Sequence, residues 1–68
     1  MSIAHIQDAF REAAAGKEAC RRVTMKYADG GKQQIFSFEI VGRPEPVEVV
    51  WSGSVDNAAL ALLALKAI

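Results

Sequence analysis

The chain holds one cysteine and one histidine in 68 residues, and charge of neither sign is in excess. Each scarcity closes off a class of protein. Cys20 cannot form an internal disulfide, and His5 has no second imidazole with which to share a metal ion. Eight Lys and Arg are balanced by eight Asp and Glu, giving zero formal net charge and a pI of about 6.5. A neutral chain has no net field to draw it onto a polyphosphate or an anionic bilayer. Asp8, Arg11 and Glu12 interrupt any N-terminal apolar run, so no secretory signal is expected. The apolar stretch from Ala58 to Ile68 covers about 11 residues, where roughly 20 are needed to span a membrane. Glycine-rich phosphate loops, metal-ligand spacing and a recognisable triad are missing as well. The expectation is an intact, non-enzymatic, cytoplasmic domain with no cofactor, no metal and no membrane partner.

What is present is apolar: 51% of residues are hydrophobic and 24% charged, ordinary usage for a globular domain. Domains below ~70 residues usually need a staple, whether a disulfide, a metal or a partner chain. With the first two excluded, a partner chain remains.

Residues 2–15 carry a helical pattern. Ile3, Ile6, Phe10, Ala13 and Ala14 recur at spacings of three and four, with Ser2 as an N-cap and Gly16 as a stop. From Arg22 the period falls to two. Val23, Met25 and Tyr27 alternate with Arg22, Thr24 and Lys26, and Asp29-Gly30-Gly31 then supplies a hairpin turn. A second strand over 33–41 sets Phe36, Phe38 and Ile40 on one face. The segment Gly42-Arg43-Pro44-Glu45-Pro46 breaks it, because proline cannot donate a ladder hydrogen bond. Val47, Val49 and Trp51 mark a third strand. Ser54 or Asp56 can then cap a helix from about Val55 to the C-terminus. The fold class is α+β: a three-stranded antiparallel meander with N- and C-terminal helices packed on one face.

This αβββα order, and the passage Trp51-Ser52-Gly53-Ser54-Val55-Asp56-Asn57-Ala58-Ala59-Leu60-Ala61 from strand through turn into an alanine-rich helix, resembles the double-stranded RNA-binding domain. The resemblance covers nearly the whole chain and implies its fold. It does not extend to the RNA-reading residues. Where that family opens its last helix with paired lysines and a further cation, this chain has Val55, Asp56 and Ala59. The loop that there offers a histidine is here Asp29-Gly30-Gly31-Lys32-Gln33. Losing those cations removes most of the counterion-release contribution to binding. Some members of the family pair with proteins instead, through the third strand and final helix.

The final helix is the leading candidate surface. Its leucines do not fit one narrow stripe, and one sheet plus one helix cannot enclose a second helix on all sides. Val49, Trp51, Leu60, Ala61, Ala64, Leu65 and Ile68 are the expected protein interface, with a homodimer as the simplest closed assembly and a larger protein as a further partner. Trp51 reads first as core, with an interface anchor as the alternative. Arg21, Arg22, Lys26, Lys32 and Arg43 form the basic concentration. They read first as a solvated sheet face paired with Glu18, Asp29, Glu39, Glu45 and Glu48. The alternative is a duplex-RNA contact through Arg21, Arg22, Lys26 and Lys32. Cys20 reads as a small buried hydrophobe and His5 as a surface residue; Asp8, Glu12 and Glu18 read as helix-surface carboxylates. The functional expectation is a non-catalytic accessory or inhibitor module, of the kind small bacterial or phage anti-defence proteins provide.

Overall fold

A computed structural model of the chain describes residues 3–15 and 19–67. Ser2, Gly16 and Ile68, and with them the expected N-cap and stop of the first helix, lie outside the described residues. The order of elements is α1 (Ile3–Ala13), β1 (Cys20–Ala28), a tight turn (Asp29–Gly31), β2 (Gln33–Ile40), β3 (Val47–Ser52) and α2 (Asn57–Lys66). The sheet is an antiparallel meander in the order β1-β2-β3, so the α+β, αβββα architecture is the observed one.

The period-two alternation fixes which face of the sheet is dry. Val23, Phe36, Phe38, Ile40, Val47 and Val49 all point inward and are buried. Ile6 and Phe10 from α1 close over them, with the Phe10 and Phe38 rings tilted at 34° and 5.9 Å apart. The hairpin between β1 and β2 runs through three successive left-handed residues, Asp29 (φ 52°), Gly30 (φ 64°) and Gly31 (φ 92°). Two of the three are glycine, which takes that conformation without a Cβ clash, and Asp tolerates it better than most residues do. Lys32 N–H closes the turn on Asp29 O at 3.2 Å.

β1 and α2 begin at positions other than those the sequence suggests, each for a local reason. β1 begins at Cys20 rather than Arg22, because a β-bulge between Cys20 and Arg22 places two exposed arginines in succession and breaks the alternation. α2 begins at Asn57 rather than Val55. Asp56, in extended conformation, accepts hydrogen bonds from Ala58 N–H at 3.0 Å and Ala59 N–H at 3.2 Å, which makes it the N-cap. Val55 precedes the cap and packs against the core.

Candidate interaction surfaces

α2 packs on α1 and on β3. To touch both, it turns Leu60, Ala61 and Ala64 inward, and all three are completely buried within the chain's own core. At 100° per residue these three positions fall within about 100° of arc, whereas Leu62 lies on the far side and Leu63 on the flank next to Leu60. The expected interface is therefore corrected at these positions. Leu60, Ala61 and Ala64 are core residues, as is Val49, which points inward from β3. Trp51 and Leu65 are half-buried and pack against the same core, and Ile68 lies outside the described residues. Trp51 also fixes the turn ahead of α2, its Nε1–H donating to Ser54 O at 2.6 Å. The apolar surface left over comes from other residues of the same elements: Leu62 (49% exposed) and Leu63 (43%) on α2, and Val50 (57%) on the outer face of β3. An apolar helix with no polar stripe gives no periodic signal for its inward face, and packing alone turns Leu60 into the core.

The two sheet edges are unlike. β1 carries a bulge and three cations, Arg21, Arg22 and Lys26, the devices by which natural sheets keep further strands from adding. β3 runs Val47-Glu48-Val49-Val50-Trp51-Ser52 in unbroken register with β2 and has one charge, Glu48. Its outer rim is the unguarded edge, and α2 lies on that side of the molecule.

The basic residues do not form one surface. Arg22 Nε donates to Glu39 Oε2 at 2.7 Å across the β1–β2 register, the cross-strand pairing expected of a salt-laced sheet face. Lys26 lies on the outer face among Thr24, Ile35 and Ser37. Lys32 is beyond the hairpin, more than about 20 Å along the strand from Arg21. Arg21 instead shares a cleft with Arg43. The start of α2 presents the Asp56 carboxylate, already committed to two backbone N–H groups. These placements do not assemble the four expected RNA contacts into a single groove-facing patch.

Nothing in the described residues builds a catalytic constellation. Cys20 is 1% exposed, its thiol donating to Arg22 O at 3.6 Å, and burial pushes its pKa up, so the nucleophilic thiolate is disfavoured. His5 is exposed on α1, as are Asp8 and Glu12. No group of three or more His, Cys, Asp or Glu that could hold a metal exists among the described residues, and no described helix is long and apolar enough to cross a membrane. No protein-family model matches the chain, and neither does any curated protein or solved structure.

Proposed function

We propose that this chain is a non-catalytic protein-interaction module that pairs with a second copy along β3 and α2, and that it acts as an accessory or inhibitor of a larger protein. The observation that carries the reading is the unguarded β3 edge on the side of the molecule where α2 lies, with Val50, Leu62 and Leu63 exposed on those two elements. Adding a strand satisfies a row of backbone donors and acceptors that an edge otherwise leaves to water. A two-fold axis through the middle of β3 pairs it antiparallel with itself and keeps both pairs of helices on one face. Centred on Val49, the pairing sets Glu48 opposite Val50 of the second copy; centred on Val50, it sets Glu48 opposite Ser52. In neither register do the two Glu48 carboxylates meet. The same operation applied to β1 brings two sets of arginines and a lysine together, which like-charge repulsion opposes. The αβββα order is read as the scaffold of the double-stranded RNA-binding domain with its RNA surface replaced, in keeping with Asp56 at the head of α2.

Light scattering across a dilution series tests the reading. The expected result is a concentration-dependent mass approaching twice the 7.3 kDa of the chain. Val50→Glu, which places like charges opposite one another in either register, and Leu62→Glu are both expected to hold the protein monomeric and folded. A mass that never leaves that of one chain refutes the self-pairing.

A further inference from the structure

At the end of the sheet where β1 begins and β2 runs out toward β3, Arg21 and Arg43 line a cleft of about 200 Å³. We propose that this cleft binds a phosphate dianion, either free or as a monoester. The residues that form it are separated by more than twenty positions, and three local devices bring them together.

The first device is the bulge in β1. Without an extra residue, strict alternation after the inward Cys20 would turn Arg22 into the core. The bulge puts Arg21 and Arg22 both on the outside, and such irregularities commonly re-aim a side chain at a functional position. Gln7 clamps it from α1, its Nε2 donating to Arg21 O at 2.6 Å and to Cys20 O at 3.4 Å. The second device is the turn after β2. Gly42, at φ 87°, allows Arg43 N–H to return to Ile40 O at 3.1 Å, which sets the Arg43 side chain at the cleft. The third lies at the far end of α2, where Arg43 Nη1 donates to Ala67 O at 3.3 Å. That bond tethers the guanidinium, and among the described residues its other donors have no partner.

Charge decides the ligand class. Glu39 also lines the cleft, but its carboxylate is taken by Arg22 at 2.7 Å. Neither Arg21 nor Arg43 has a carboxylate partner among the described residues. Among the described residues that line the cleft, the two positive charges therefore outnumber the carboxylates left unpaired. A guanidinium fork binds two oxygens side by side, and two forks from different elements offer more donors than one carboxylate can accept. A phosphate monoester carries nearly two negative charges at neutral pH and three terminal oxygens, which matches both counts.

Titration of the intact protein with inorganic phosphate, with phosphoserine and with acetate, followed by backbone amide shifts, tests the assignment. Saturable one-to-one binding of phosphate or phosphoserine is expected, with the largest shifts at Arg21, Gly42 and Arg43. Acetate is expected to bind at least about tenfold more weakly, and Arg21→Gln and Arg43→Gln each to weaken phosphate about tenfold. Preference for phosphoserine identifies a phosphorylated side chain as the source, and preference for phosphate identifies the free ion. Arg21 is exposed, so Arg21→Gln is expected to melt with the unaltered protein, and it carries the test if Arg43→Gln frays α2. Absent saturation, acetate binding as tightly as phosphate, or an unchanged affinity in Arg21→Gln overturns the proposal.

Discussion

Leu60→Ala separates the core of α2 from its surface. Leu60 is completely buried where α2 meets the rest of the fold. Truncation removes three carbons, worth about 2.4 kcal/mol in transfer at ~0.8 kcal/mol each, and a cavity adds to that where the surroundings do not collapse. The expected cost is about 3 kcal/mol. A domain of this size has roughly 3–10 kcal/mol of stability in total, so the change consumes a third of it or more. Melting should fall by roughly 12–24 °C at ~4–8 °C per kcal/mol. The assay is urea denaturation followed by circular dichroism, at concentrations low enough that self-association does not contribute. Leu62→Ala and Leu63→Ala, at exposed positions of the same helix, are expected to stay within about 0.5 kcal/mol of the unaltered protein. Equal costs at Leu60 and Leu62 would refute the assigned orientation of α2. The charged variants Leu60→Lys and Ala64→Glu are expected to unfold the chain, because an unpaired charge has no place in that core.

Asp56→Ala removes the acceptor of two N–H groups at the head of α2 and is expected to cost about 1 kcal/mol, measured by the same denaturation. Asp56→Asn, which keeps an acceptor oxygen, should recover most of it. Burial raises the Cys20 pKa above its ordinary value of 9.0, so the folded chain keeps the thiol protonated where the unfolded chain has begun to lose it. Its contribution to stability is therefore complete below about pH 9.0 and declines as pH rises beyond it. Comparing the alkaline slope of stability with that of Cys20→Ala isolates this effect, and equal slopes would contradict it. Alkylation of Cys20 at pH 8 should likewise be slow in the native protein and fast in denaturant.

The sheet was legible because its residues alternate. Phe36, Phe38 and Ile40 against Ile35, Ser37 and Glu39 leave one choice of inward face, and Asp29-Gly30-Gly31 leaves one place for the hairpin. α2 was legible as a helix but not in its orientation. Leucine and alanine occur on every side of it, so only packing against α1 and β3 selects Leu60, Ala61 and Ala64 as the inward set. The Arg21–Arg43 cleft carried no sequence signal. It depends on a bulge that interrupts the very alternation used to find β1, and on a Gln7 side chain reaching back from another element. The fate of Asp56 lay between these extremes: two caps were available in sequence, and backbone geometry chose the second.

Amide hydrogen exchange of β3, measured residue by residue over a range of protein concentrations, tests the self-pairing most directly. Pairing predicts that amides within Val47–Ser52 gain protection as concentration rises, while those of β1 do not change. Protection in β3 that is independent of concentration, or that grows in β1 instead, would contradict it.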